Sequence, residues 1–180
     1  MWTPNLTNSL DTLNSFQMPV ALDNAAYSDF CPNRYVEMIQ KLKDVGLVID
    51  WVSVPDVVGD AQQTQNLFFQ WQPKLDIPLA YVGQDGCEDL EIPFSDIQCV
   101  FIGGTTEWKL SACAASVVYA SKQHAKVVHM GRVNSDKRLA YAYNLGCDST
   151  DGTGYVKFSK QRLLPALHFI DGLHRQASLF

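Results

Sequence analysis

The chain has 180 residues, 47% of them hydrophobic and 18% charged, which suits one domain with a sizeable core and is too short for two comfortable ones. It contains no run of about 18 apolar residues, and Met1-Trp2-Thr3-Pro4-Asn5 lacks the basic start and apolar centre of a signal peptide, so the expectation is a cytoplasmic protein without a membrane partner. Five cysteines (Cys31, Cys87, Cys99, Cys113, Cys147) stand singly with no CxxC pair, which argues against a disulfide framework or a zinc ribbon and for buried free thiols.

The net charge of −5 is unevenly spread. Residues 1–99 carry four Lys/Arg against fourteen Asp/Glu, a balance of −10, whereas 100–180 carry ten against five, a balance of +5. Acidic proteins bind DNA poorly without specificity, but a basic face from the C-terminal half suits phosphates. Ordinary solvated surface charge is the plainer reading of the same numbers.

In chain order, residues 5–16 are polar with spaced apolar positions, a marginal helix or extended arm; the predicted arm covers 1–17. Residues 18–22 form a short apolar strand ending in the loop Asp23-Asn24-Ala25-Ala26-Tyr27. Pro32 starts a helix in which Tyr35, Met38, Ile39 and Leu42 recur at helical spacing until Gly46. A second strand, 47–54, closes at Pro55-Asp56, and the helix 61–71 ends before Pro73. The third strand, 78–82, runs into Gly83-Gln84-Asp85-Gly86; the acidic segment 87–98, broken by Pro93, reads as loop with a short helix. Strand 99–102 precedes a helix over 108–123, rich in small residues, and strand 126–130 is followed by a helix to 145 with Ser135 as N-cap. A sixth strand, 146–149, leads to a last helix over 159–174, in which Pro165 makes a kink or a start.

Six strands spaced by helices or long loops imply parallel pairing with right-handed crossovers, an α/β class that admits a TIM barrel or an open doubly wound sheet. No GxGxxG follows the first strand. Asp23, Asp56, Gln84, Gly103-Gly104, Arg132 and Asp151 each fall just after a different strand, and only a barrel gathers such ends into one ring. The expectation is a small TIM-barrel-like (β/α) domain over 1–180 with about six to eight parallel strands, the options being an incomplete barrel or a further strand in the N-terminal arm.

Each of these residues also has an ordinary structural reading. Asp148 and Asp151 suit backbone capping, Asp23-Asn24 and Asp56 suit turns, and Gly103-Gly104 suit a sharp bend. His129 lies inside an apolar strand and reads as a hydrogen-bonded core histidine. His124, His168 and His174 have no ligand partner at metal spacing, so no metal is assigned. Trp2, Trp51 and Trp71 read as core or interface, whereas Trp108, beside the glycine loop and Lys109, is a candidate platform for stacking on a base.

The ordered blocks Leu22-Asp23-Asn24-Ala25-Ala26-Tyr27, Pro55-Asp56, Tyr81-Val82-Gly83-Gln84-Asp85-Gly86, Ile102-Gly103-Gly104-Thr105, Val128-His129-Met130-Gly131-Arg132 and Gly146-Cys147-Asp148-Ser149-Thr150-Asp151 resemble the motifs of the tRNA-guanine transglycosylase family. They are more similar to its shorter relatives, the 7-deazaguanine DNA transglycosylases of phages and DNA-modification gene clusters. The resemblance spans residues 22–151. It implies a (β/α) barrel that cuts the glycosidic bond to guanine and rejoins the sugar to a 7-deazaguanine such as preQ0 or a derivative, with no cofactor, and host cytoplasm as the location if phage-encoded.

Residue by residue, the resemblance puts the nucleophile on Asp151 and the acid/base on Asp23, where Asp-Asn-Ala-Ala-Tyr departs from the family's Asp-Ser-Gly-Gly-Phe-like block. Asp56 and Gln84 match side chains that read the purine edge, and Gly103 with Gly104 match backbone close to the base. The family's zinc cluster has no counterpart, because no cysteine follows Cys147. The implied partners are DNA at guanine sites and a free 7-deazaguanine base, with a homo-oligomer or partner subunit as a further option. A tRNA-directed exchanger and a non-catalytic barrel acting as an accessory subunit are the alternatives.

The chemistry asks for the same set. Exchanging a base on a retained sugar needs a carboxylate to trap an oxocarbenium-like centre and a second acid to protonate the leaving base, so their pKa values must be pushed apart. Guanine offers N1–H and N2–H to carboxylates and O6 to an amide or backbone N–H; Arg132 suits a phosphate clamp.

Overall fold

A computed structural model describes residues 19–26 and 30–177; the arm expected over 1–17, with Trp2, lies outside them. Six strands alternate with helices: β1 (Val20–Leu22), β2 (Ile49–Ser53), β3 (Leu79–Gly83), β4 (Cys99–Ile102), β5 (Val127–Met130) and β6 (Ser149–Thr150). Each pairs in parallel with the next in sequence, so the sheet order is β1-β2-β3-β4-β5-β6. A doubly wound sheet would reverse its order at a switch point. This one never reverses, and its strands curl into a half-barrel: the fold is α/β and TIM-barrel-like, with six strands of a barrel's eight among the described residues.

The helices are α1 (Pro32–Asp44), α2 (Ala61–Trp71), α3 (Thr106–Lys109), α4 (Ala112–Gln123), α5 (Asp136–Leu145), α6 (Thr153–Lys157) and α7 (Leu164–Ala177). Pro32 starts α1, which buries Tyr35, Ile39 and Leu42 as the spacing predicts. Asp60 caps α2 through the Gln63 amide at 2.9 Å, and Ser135 caps α5 through that of Arg138. Three boundaries differ from expectation. Ser111 caps a new helix, so 108–123 divides into α3 and α4. Gly146 takes φ +87° to close α5, which delays β6 to Ser149. Residues Ser159–Leu163 are π-helical and run directly into α7, of which Pro165 is the second residue.

Alternation along the strands divides the core. Leu22, Val52, Tyr81, Val100, Ile102, Val128 and Met130 face the helices, while Trp51, Ala80, Val82, Cys99 and Phe101 form a second cluster on the concave face. Free thiols are buried at Cys87 and Cys99, but Cys113 is exposed. Among the described residues no helix is long and apolar enough to cross a membrane.

Ile102 is fully buried and Val48 is 66% exposed. Ile102→Ala is therefore expected to lower stability by about 2–5 kcal/mol and Val48→Ala by less than about 0.5 kcal/mol, read from urea midpoints at unchanged slope.

Candidate active site

The C-terminal strand ends are tied to one another by side chains and loop backbone. After β1, Asp23 Oδ1 accepts the Ser53 hydroxyl of β2 at 3.2 Å, and the Asn24 amide N–H donates to the same Ser53 Oγ at 2.8 Å. Asn24 Nδ2 donates to Asp56 Oδ1 at 2.8 Å and to the Val54 carbonyl at 2.8 Å. Asp56 Oδ2 accepts Gln84 Nε2 at 2.5 Å, which joins β2 to β3. The amides of Gly103 and Gly104 both donate to the Gly83 carbonyl, at 3.0 and 3.1 Å, and their own carbonyls accept Arg132 Nη2 from the end of β5.

Asp151 closes the series at β6. Its Oδ1 accepts the Arg132 amide at 3.0 Å, and its Oδ2 lies 3.1 Å from His129 Nε2. Arg132 reaches this geometry at φ +59°, left-handed and uncommon for a side-chain-bearing residue. His129 Nδ1 lies 2.8 Å from Ser149 Oγ, and the ring, 3% exposed, stacks on Phe101 and tilts against Trp51. A neutral ring that donates from Nε2 to Asp151 accepts the Ser149 hydroxyl at Nδ1. Asp151 is thus held by both oxygens, and each keeps a lone pair for a further contact.

The two acids sit in opposite electrostatic settings. Burial, with the charges of Asp56 and Asp151 nearby, pushes the Asp23 carboxyl up to about 6. Burial also presses Asp151 upwards, but the hydrogen bonds from His129 and the Arg132 amide outweigh it, so its pKa falls below the ordinary value. Asp56 is raised by burial, against the hydrogen bonds of Asn24 and Gln84 and the charge of Arg132. One acid at this rim therefore keeps its proton up to about pH 6 while another stays ionised well below that.

Asp23, Asp56, Gln84, Gly103, Gly104, Arg132 and Asp151 all lie on one rim, as expected, yet several are placed differently within it. Gln84 is buried with its amide spent, Nε2 on Asp56 and Oε1 accepting the Gly59 amide at 2.9 Å, so it orients Asp56 from behind. The Arg132 guanidinium turns inward onto two carbonyls. Gly104 is required for packing: a Cβ there would come 2.6 Å from Asp85 Oδ2 and meet the Trp108 ring. Trp108 is buried against that glycine with Nε1 donating to Glu88 Oε2 at 2.9 Å, so its ring is packed in the core and offers no open face to a base. Asp148 is structural, accepting Lys122 Nζ at 2.7 Å and the Val128 amide at 2.7 Å.

His129, Ser149 and Asn24 join the site without having been singled out for it. The usable signal is alternation: Ser149 and Asp151 share a strand face, and parallel register sets His129 beside Ser149. Lys109 also enters, 4% exposed, with Nζ donating to the Gly131 carbonyl at 2.6 Å. Among the described residues no cluster of three or more His, Cys, Asp or Glu is placed to hold a metal ion.

No protein-family model matches the chain, and no curated protein matches it. Among solved structures it is similar to the crystal structure of the Bacillus subtilis YkuI protein, with an EAL domain, in complex with substrate c-di-GMP and calcium. The identity is 13% and the TM-score 0.44; the match covers 93% of this chain and 49% of that one, so the chain spans about half of that protein's length.

The opposite settings of the two acids give opposite pH signatures. Asp23 is raised in the fold, so its contribution is fully present below its unfolded value of 3.8 and is lost as pH rises through about 6. Asp23→Asn is expected to raise stability at pH 7.5, by on the order of 1–3 kcal/mol, with the gain vanishing below pH 4. Asp151 is lowered, so its contribution is present at neutral pH and lost as pH falls below 3.8; Asp151→Asn is expected to destabilise at pH 7.5. Thermal melts of both variants from pH 3.5 to 8 check the pair, and a destabilised Asp23→Asn at pH 7.5 would reduce Asp23 to a structural acceptor for Ser53.

Proposed function

We propose that the chain is a base-exchange glycosyltransferase that replaces guanine in DNA with a 7-deazaguanine through a covalent aspartyl-sugar intermediate. The observation that carries this reading is the divided pair of rim carboxylates, Asp151 held ionised and Asp23 raised to about 6. A double displacement on a glycoside uses that division, one carboxylate as nucleophile and one acid as proton donor and then acceptor.

In this mechanism an Asp151 oxygen attacks C1′ of the target nucleotide as the C1′–N9 bond breaks and its electron pair leaves with guanine. Asp23 gives its proton to the departing base. The incoming 7-deazaguanine then loses its N9 proton to the Asp23 carboxylate, N9 attacks C1′, and the ester to Asp151 breaks. Protons balance over the cycle. The Arg132 amide and His129 fix the rotation of Asp151 so that its remaining lone pairs are presented in one orientation. Asp56 accepts one hydrogen bond on each oxygen here, and a carboxylate has two more acceptor sites, enough for N1–H and N2–H of a guanine-like base. Asn24 and Gln84 act as its supports. A target inside a duplex must be turned out of the stack to reach C1′.

Incubation of guanine-containing DNA with the chain and preQ0, followed by mass spectrometry of the nucleosides, is expected to give a 7-deaza-2′-deoxyguanosine derivative. Asp151→Asn should reduce its yield by about 10³-fold or more. Single-turnover release of guanine should decline as pH rises through about 6, because Asp23 must carry a proton, and Asp23→Asn should flatten that limb. Exchange into tRNA and none into DNA would move the substrate to RNA, and exchange into neither would leave a non-catalytic barrel.

A further inference from the structure

Beside the carboxylates, at the end of β5, three basic residues border one small cavity: Lys109, Arg132, whose guanidinium also holds the Gly103 and Gly104 carbonyls, and Arg138. Lys109, the last residue of α3, is buried, and its ammonium spends one of three donors on the Gly131 carbonyl at 2.6 Å. Among the described residues no carboxylate forms an ion pair with Lys109. Asp151 and Asp85 act on it only at longer range, and each is engaged elsewhere, Asp151 with Arg132 and His129 and Asp85 with the Thr105 amide and hydroxyl at 2.7 and 2.5 Å. Arg132 and Arg138 instead add like charge, and burial with these two holds the lysine at about 8. Lys109, Arg132 and Arg138 border a cavity of about 10 Å³ together with Thr106, Gly131 and the apolar Leu110, Met130 and Val133.

Burying an ammonium with one hydrogen bond and two like charges is unfavourable unless something negative completes it. A cavity of this size admits one oxygen atom. Arg132 ties the cavity to the site, since its backbone amide holds Asp151 and the same residue borders the cavity.

We propose that Lys109, Arg132 and Arg138 form an oxyanion subsite that takes a phosphate oxygen of the substrate strand, adjacent to the nucleotide attacked at Asp151. The subsite stands on the cluster itself; its assignment to a strand phosphate rests on the base-exchange reading. It accounts for a cationic wall on an acidic protein, and it positions the strand without reading sequence.

The test needs no base exchange, so its outcome is separable from that reading. Thermal unfolding of the full chain is followed with inorganic phosphate against chloride at equal ionic strength. Phosphate should raise the wild-type Tm by about 3 °C near ten times its Kd. The gain should disappear in Lys109→Met, which removes the buried charge at nearly constant volume, and shrink in Arg138→Gln, a change on the half-buried first turn of α5 that leaves the core alone. Asp151→Asn should keep the gain. For a guanine oligonucleotide bound by Asp151→Asn, adding Lys109→Met should lower the slope of log Kd against log salt by about 1. Equal phosphate shifts in wild type, Lys109→Met and Arg138→Gln would overturn the subsite and leave a buried water in the cavity. A selective phosphate shift with an unchanged salt slope would overturn the strand assignment and leave a site for free phosphate.

Discussion

The structure depends on a line of polar links that runs from β1 to β6 along the C-terminal rim. Ser53 binds Asp23, Asn24 binds Asp56, Asp56 binds Gln84, Gly83 binds Gly103 and Gly104, these bind Arg132, and Arg132 binds Asp151. Parallel register makes this line available, because six strands in sequential order deliver six ends side by side. An open rim of unpaired polar groups would be expensive to bury. Pairing each end with the next satisfies those groups and spaces the acids along the curve, so the same bonds that finish the sheet also set the electrostatics of the site.

Within that line the protein tolerates features that a stability criterion alone would remove. Asp23 is held where its charge is disfavoured, Lys109 is buried without an ion-pair partner among the described residues, and Arg132 adopts a left-handed backbone. All three border the strand-end rim, and features of this kind gather at binding or reacting sites. Beneath them the floor is rigid: Trp51, Phe101 and His129 pack ring against ring on the concave face, and His129 transmits that rigidity to Asp151 through one hydrogen bond.

Much of the fold was legible in the sequence. Apolar runs ending in Gly, Asp or Gln marked five of the strands, the sixth began only at Ser149, the last residue of its expected range, and Pro32 and Ser135 marked helix starts for reasons local to those residues. The rim itself followed from polar residues placed just after strands. What was not legible depends on register and on burial between distant segments. Nothing near His129 announces Ser149 as its neighbour, since the pairing of β5 with β6 settles it. Gln84 looks like an exposed recognition residue until Gly59 is seen folding back over it. Trp108 reads in the sequence as open to stacking because glycines lie close by, but those glycines admit the ring into the core. Lys109, one lysine in a helical stretch, carried no sign that it would be enclosed.

The central claim is that Asp151 bonds to a sugar carbon, and intact-mass measurement after incubation with a guanine oligonucleotide and no incoming base addresses it most directly. The account predicts a protein species heavier by the oligonucleotide less one guanine, retained under denaturing conditions, released by added 7-deazaguanine and absent from Asp151→Asn. An adduct of the same mass in Asp151→Asn would contradict it, as would full exchange activity in that variant.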